Sequence, residues 1–244
     1  MIAPAVFERL PWDSTFFGFA IGRVAVPRLN ADVAEEITKW TRAERLECVY
    51  ILTDAGDEAE REAARRAGYD AVDERLTIRK AMSAGDVPPP DPRLRPARES
   101  DISALRRIAS ISHHDSRFYK DSRFPRARCD EMYAHWIEKS VQGDADHVLV
   151  ADVDGQVMGF MTAKLERPYG RLCLMAVDPV ARGTGLGRSL TVDMIGWFVS
   201  QGLQGGYLTT QGGETIANKL YERLSFEHVA RQYWYHYWPT RPLS

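Results

Sequence analysis

Apolar positions along this 244-residue chain recur with two different periods, and the places where the period changes mark out its elements. Cys129, Met132, Tyr133, Trp136 and Ile137 follow the i, i+3, i+4, i+7, i+8 rule and predict a helix over 129–140. Leu186, Leu190, Met194, Trp197 and Phe198 predict a second helix. Ile102, Leu105 and Ile108, behind the capping signal Glu99-Ser100-Asp101, predict a third. Two apolar runs at 147–151 and 157–161 flank Asp154-Gly155 and predict a hairpin. Residues 172–177 read as a buried strand, 206–210 as another, 217–226 as an amphipathic helix with its closing turn, and the aromatic-rich stretch 229–238 as a final strand. Upstream, 32–46 and 57–67 read as helices, and 48–52 and 75–79 as strands.

Pro88, Pro89, Pro90 and Pro92 interrupt this pattern, because proline continues neither a helix nor a sheet ladder. The prolines predict an extended linker over 83–96. It separates an N-terminal αβ domain, 1–82, from a main domain, 97–244. The expected class is α/β (α+β): a mixed, mostly antiparallel central sheet flanked by helices, with a smaller αβ domain before it.

Composition narrows the function classes. The chain is 44% hydrophobic and 27% charged, with a formal net charge of −2, as in an ordinary soluble globular protein. That balance points to no nucleic-acid partner and no membrane surface. No apolar run reaches the length of a membrane span, and residues 1–9 lack the basic-then-apolar order of a signal peptide. A cytoplasmic location is expected. The three cysteines, Cys48, Cys129 and Cys173, form no metal spacing and no disulfide set, so no metal is expected. Cys129 and Cys173 sit in apolar patterns and read as buried small hydrophobes.

The chemistry lies in Arg182-Gly183-Thr184-Gly185-Leu186-Gly187-Arg188, between the 172–177 strand and the helix that begins near Leu186. At such a junction the N–H groups of a helix N-terminus are unpaired and partly positive. Glycines let the backbone take positive φ and come close to an anion. A P-loop would need Lys-[Ser/Thr] after the last glycine, and a dinucleotide fingerprint would need G-x-G-x-x-G spacing. Gly183, Gly185 and Gly187 satisfy neither.

The pattern Arg182-x-x-Gly185-x-Gly187, behind a strand ending Val177-Asp178-Pro179, resembles the acetyl-CoA motif of the GCN5-related N-acetyltransferase (GNAT) family. Ala217-Asn218-Lys219-Leu220-Tyr221-Glu222-Arg223-Leu224-Ser225-Phe226 is similar to the late helix of that family. The resemblance implies a GNAT fold over 97–240 and acetyl-CoA as cosubstrate. It implies main-chain contacts from Met175 and Val177 to the pantetheine arm, the backbone N–H near Ala176 as donor to the developing oxyanion, and pyrophosphate binding by residues 182–188. It further implies a cofactor contact at Asn218 and a general acid at Tyr221. Two residues depart from the family pattern: Glu214 stands where Asn is frequent, and Ser225 where Gly is usual. The N-terminal domain resembles a partial GNAT half, on an echo between Gly68-Tyr69-Asp70-Ala71-Val72 and Ser225-Phe226-Glu227-His228-Val229.

Further runs sharpen the resemblance to a nucleotide-sugar branch of the family. They are Leu10-x-Trp12-x-x-x-Phe16-Phe17-Gly18, Ser116-Arg117-Phe118, Ala134-His135-Trp136-Ile137-Glu138 and Thr210-Gln211-x-Gly213. This implies a small-molecule amine as acceptor, the 4-amino group of a TDP-4-amino-4,6-dideoxyhexose. Arg117, Phe118, Trp12 and Phe17 are the expected acceptor contacts. A peptide, a polyamine, another small amine and a purely acetyl-CoA-binding role stay open as alternatives. His113, His114, Asp115 and Glu166 are candidate bases. A homodimer is common in the branch resembled, and the residues leave that choice open.

Overall fold

A computed structural model describes residues 5–54, 56–213 and 215–239. The chain runs β1 (Val6–Arg9), α1 (Pro11–Phe17), β2 (Ile21–Val26), α2 (Ala31–Ala43), β3 (Cys48–Asp54), α3 (Glu58–Arg66) and β4 (Asp70–Ala81). It continues through β5 (Leu94–Pro96), α4 (Ile102–Ser110), α5 (Arg117–Lys120), α6 (Arg126–Lys139), β6 (His147–Val153), β7 (Gln156–Lys164) and β8 (Gly170–Val177). It closes with α7 (Leu186–Ser200), β9 (Gly205–Gln211), α8 (Ile216–Arg223) and β10 (Glu227–Tyr237). The periodic segments are all present. The added elements β1, α1, β2, α5 and β5 are mostly too short to show a period; α1 is seven residues, from Pro11 to the left-handed Gly18.

Two compact units form. One gathers residues up to Leu76, 115–128 and those from Ala230 on; the other gathers 77–114 and 129–229. These boundaries do not coincide with a contiguous 1–82, 83–96 and 97–244 division. Residues 83–96 pack within the second unit rather than acting as a spacer. Leu94 to Pro96 pair with β6, the Asp91 N–H donates to Asp193 Oδ2 at 3.0 Å, and Ser189 Oγ donates to Asp91 Oδ2 at 2.6 Å.

In the first unit, β2 and β3 are parallel and paired along their length, from Ile21↔Cys48 to Val26↔Thr53. β1 adds to β2 and β10 adds to β3, both antiparallel. Cys48 to Leu52 of β3 are buried without alternation, as in a central strand covered on both faces. One core contains Val24, Val26, Leu29, Ile37, Val49 and Ile51. A second cluster is aromatic, with Phe17, Phe19, Phe118, Phe124 and Trp238 in ring contact.

In the second unit the strand order is residues 77–81 of β4, then β9-β8-β7-β6-β5. β7 pairs antiparallel with β6 and β8, whereas β8 and β9 are parallel. Helix α7 buries Leu190, Met194 and Phe198. Phe198 fits because position 170 is glycine: a Cβ there would stand 2.1 Å from its ring. Strand β8 is not uniformly buried. Leu172 and Ala176 are covered, but Cys173 is exposed, which corrects its reading as a core residue; Cys129 is buried as expected. No helix among the described residues is long and apolar enough to cross a membrane.

Candidate active site

Strands β8 and β9 pair only at their first residues, Gly170↔Gly206 and Arg171↔Tyr207. A bulge accompanies their parting. Between Met161↔Met175 and Ala163↔Leu172, β8 has one residue more than β7. The Leu174 N–H donates to Thr162 Oγ1 at 3.0 Å, which satisfies an amide that the bulge removes from the ladder. Further along, the Asp178 N–H donates to Met158 O at 2.8 Å. Main-chain groups alternate sides along an antiparallel ladder, so those of Ala176 also face β7, where Phe160 is its partner. Those of Met175 and Val177 face the opposite, unladdered side. Of the three residues expected at the cofactor, Met175 and Val177 thus turn their main-chain groups away from the ladder, while the Ala176 N–H is turned into the sheet.

The loop after β8 is held at its start by Asp178. That carboxylate accepts the Val180 N–H at 3.1 Å and pairs with Arg107 at 2.7 Å. Burial works to raise Asp178, but these two partners hold it below the usual carboxylate range. Gly183 and Gly185 have φ of +79° and +87°, a conformation that side chains rarely adopt. Gly185 is the N-cap of α7 and, having no side chain, provides no capping bond. The first N–H groups of α7 are thus free of a side-chain cap and carry the positive end of its dipole. Arg182 and Arg188 are exposed, Arg182 Nε donating to Val177 O at 3.3 Å, and Thr184 Oγ1 braces the loop on Ala181 O at 2.7 Å. Leu186 is buried, so only its main chain faces the loop.

Tyr221 is buried on α8, its ring 5.2 Å from that of Phe226, and burial pushes its phenol well above the ordinary tyrosine range. Asn218, expected as a cofactor contact, is buried with its amide engaged. Nδ2 donates to Gln211 O at 2.8 Å and to Gly213 O at 2.7 Å, and Oδ1 accepts from Thr210 Oγ1. Its side chain fixes the β9–α8 turn instead. Glu214 lies outside the described residues.

The expected acceptor contacts belong to the first unit. Phe17 and Phe118 are buried in its aromatic cluster and pack rather than line a surface. Trp12 is 39% exposed and stacks on Phe16 at 4.9 Å. Arg117 is part-buried among the rings of Tyr50, Phe118 and Trp234. The segment around it is folded rather than a solvated loop: Ser116, Tyr119, Asp121 and Phe124 are all buried. Sequence reading missed Tyr50, Asp121 and His236 here, because their spacing in the chain carries no signal of their contact.

Of the candidate bases, Glu166 accepts from the Tyr207 hydroxyl and pairs with Arg171 at 3.2 Å, at the closed end of the β8/β9 split. His113 stacks on Tyr133 and His114 lies 3.7 Å from Asp130. Asp115 is exposed in the first unit. Among the described residues no cluster of metal-ligating side chains occurs.

Comparison with known proteins agrees with this geometry. The model of the "Acetyltransferase (GNAT) family" matches residues 108–226. Residues 108–226 of the chain belong to the GNAT family. A dTDP-fucosamine acetyltransferase of Escherichia coli O6:H1 is 29% identical over 241 residues, covering 94% of this chain and 97% of that one. The spore coat polysaccharide biosynthesis protein SpsD of Bacillus subtilis is 29% identical over 166 residues, 68% of this chain and 57% of that one. A GCN5-related N-acetyltransferase structure from Sphaerobacter thermophilus superimposes with a TM-score of 0.64 at 14% identity, covering 96% of this chain and 76% of that one.

Two stretches of the chain repeat one order of elements: β2-α2-β3-α3-β4 against β8-α7-β9-α8-β10. The turns after α3 and α8 are built alike. Gly68 and Ser225 both have positive φ, and Tyr69 N–H donates to Ala64 O as Phe226 N–H donates to Tyr221 O. The helix N-termini differ. Asn30 caps α2 by accepting the Val33 N–H at 2.9 Å, whereas α7 has no such cap, and β2 stays paired to β3 where β8 leaves β9.

Proposed function

We propose that this GNAT enzyme moves acetyl from acetyl-CoA to the amino group of a sugar, the 4-amino group of a TDP-linked 4-amino-4,6-dideoxyhexose. The observation that carries the acetyl-CoA half is the uncapped α7 N-terminus behind two positive-φ glycines, at the end of a strand that has left its neighbour. N–H groups from 183–188, with Arg182 and Arg188, suit a diphosphate. Main-chain groups of Met175 and Val177 suit an amide-bearing arm laid along β8. The acceptor half is supported by the names of the relatives, an amino-sugar acetyltransferase and a polysaccharide biosynthesis protein.

The reaction balances without a metal or a redox step. The neutral amine attacks the thioester carbon, the C–N bond forms and the C–S bond breaks. The amine loses one proton and the departing thiolate gains one. Tyr221, kept protonated by its burial, is the proton donor to the departing thiolate in this reading. In this reading Glu166, at the closed end of the split, receives the amine's proton, directly or through water. A main-chain N–H of Met175 or Val177, rather than that of Ala176, is the donor for the developing oxyanion. The first unit is a degenerate GNAT half. Its capped α2 and fully paired β2/β3 offer no counterpart of the phosphate loop.

The test is release of CoA thiol from acetyl-CoA against both C4 epimers of the TDP-amino sugar, a peptide amine and a polyamine. Turnover on one TDP-amino sugar supports the reading. Turnover confined to the peptide or polyamine overturns the acceptor half alone.

A further inference from the structure

Side chains alternate faces along a strand. On β8, Gly170 and Leu172 are buried, and a Cβ at Gly170 would stand 2.1 Å from the Phe198 ring, so this face meets α7. On β9, a Cβ at Gly206 would likewise stand 3.3 Å from Ile195 and from Phe198. Arg171 and Cys173 therefore project from the opposite face, and the register Arg171↔Tyr207 sets Tyr207 beside Arg171 there. Glu166, in the turn from β7 to β8, reaches the same group. Its Oε2 accepts from the Tyr207 hydroxyl, and its Oε1 pairs with Arg171 Nε at 3.2 Å. Each carboxylate oxygen thus has its own partner, one from β9 and one from β8. Burial, with the Glu166 carboxylate beside it, pushes the Tyr207 phenol up to about 12, which keeps it a donor to that carboxylate.

This group stands at the fork of the two strands. Beyond Arg171↔Tyr207 the ladder between β8 and β9 ends, and Cys173 lies just inside the opening. An acyl arm that enters at the α7 N-terminus and runs back along β8, past Val177 and Met175, stops where β9 resumes its pairing. From Val177 back to Cys173 is about 13 Å of strand. The carbon under attack then comes to rest near Cys173, and an amine approaching from the open face meets Glu166. The Glu166 and Arg171 side chains are 40% and 43% exposed, so an acceptor can reach them. An ion pair this exposed adds little to stability. What Tyr207 and Arg171 supply is direction: a carboxylate on an exposed turn would rotate without them.

We infer that Tyr207 and Arg171 are positioning residues for Glu166, holding its carboxylate over the fork of β8 and β9 toward an amine that attacks from the open face. The inference rests on Glu166 as the proton acceptor of the reading above, and it holds for whichever amine is the acceptor. Sequence reading reached Glu166 but neither of its partners.

Thiol-release kinetics on the full chain tests it, with an amine that the wild type acetylates, in a double-mutant cycle of Tyr207→Phe and Glu166→Gln. Glu166→Gln lowers kcat about 10²-fold or more, the ordinary loss of a general base. Tyr207→Phe lowers kcat about tenfold, while the KM for acetyl-CoA stays within about twofold and the melting temperature barely moves. In the Glu166→Gln background, Tyr207→Phe changes kcat by less than about twofold, because it acts only through the carboxylate. Arg171→Gln repeats this pattern, and it decides if Tyr207→Phe does not fold. Unchanged kcat in both partner variants overturns the inference, and so do losses that multiply independently in the double mutant. Full activity in Glu166→Gln overturns Glu166 as the base, and this inference with it, while leaving the transferase reading intact. A wild type that releases thiol with no amine overturns the transferase reading itself. A second measurement needs no turnover. Cys48 and Cys129 are buried and Cys173 is exposed, so alkylation by iodoacetamide reads Cys173. Acetyl-CoA at about ten times its Kd slows that alkylation about tenfold when the acyl end lies at the fork. An unchanged rate places the acyl end away from Glu166 and overturns the inference.

Discussion

Thr162 Oγ1 accepts the Leu174 amide across the bulge in β8, and this single 3.0 Å bond separates a strand that continues its ladder from one that turns main-chain groups outward. Thr162 is fully buried, so no water replaces it. Thr162→Val keeps the volume and removes the acceptor, leaving a buried N–H unpaired at a cost of about 1–3 kcal/mol. The melting temperature should fall and the KM for acetyl-CoA should rise together. A variant that melts lower but binds acetyl-CoA as tightly as the wild type would separate the bulge from the cofactor site.

Gly185 carries the phosphate loop into α7 at φ +87°. Its missing Cβ would meet no atom within 4 Å, so the requirement is conformational rather than one of space. Gly185→Ala should disfavour the loop by about 1–2 kcal/mol, the ordinary cost of a left-handed alanine. Calorimetric titration with CoA should then show a Kd raised about tenfold. An unchanged Kd would mean that the loop does not hold the diphosphate.

Tyr221→Phe retains the ring that packs 5.2 Å from Phe226 and deletes only the hydroxyl. If that hydroxyl protonates the thiolate, turnover drops by about 10² to 10⁴ with folding intact. Stopped-flow or steady-state thiol release reads this directly, and a wild-type rate would reject Tyr221 as the acid.

His236 gives the fold a pH dependence of known sign. Burial, with Arg117 and Arg123 close by, lowers its pKa to about 4 despite the pull of Asp121. In the unfolded chain an imidazole takes its proton near 6.5. Between those values the unfolded chain binds more protons, so stability is full above about 6.5 and is lost as pH falls toward 4. Melting temperatures measured from pH 7 to 4 should fall more steeply in the wild type than in His236→Gln. Parallel curves would contradict a neutral, buried His236.

Much of the second unit was legible because its signals are local. Leu190 and Phe198 of α7 repeat at helical spacing, Asp154-Gly155 closes a hairpin, and Gly183 and Gly185 announce positive φ. The first unit was less legible for a physical reason. Its aromatic cluster joins Phe17, Phe118 and Trp238 from three distant stretches of chain, and no period records such a meeting. Phe17 and Phe118 looked like site residues because aromatic, Arg-bearing segments suggest a ligand; they are core, and the chemistry around Arg117 comes from Tyr50 and His236. The Asn218 amide is taken up by Gln211 and Gly213, in a turn that spacing does not show. The prolines at 88–92 suggested a spacer, but the Asp91 contacts to Ser189 and Asp193 bind that stretch to α7.

The most direct test of acetyl transfer to a sugar amine is to follow a ¹³C-labelled acetyl group from acetyl-CoA by NMR in the presence of the two TDP-4-amino-4,6-dideoxyhexose epimers. Appearance of the label as an amide on the 4-amino group of one epimer, slowed in Gly185→Ala at limiting acetyl-CoA and slowed about 10²- to 10⁴-fold in Tyr221→Phe, is the predicted result. Label that remains in acetyl-CoA with both epimers, while another amine accepts it, would contradict the sugar assignment.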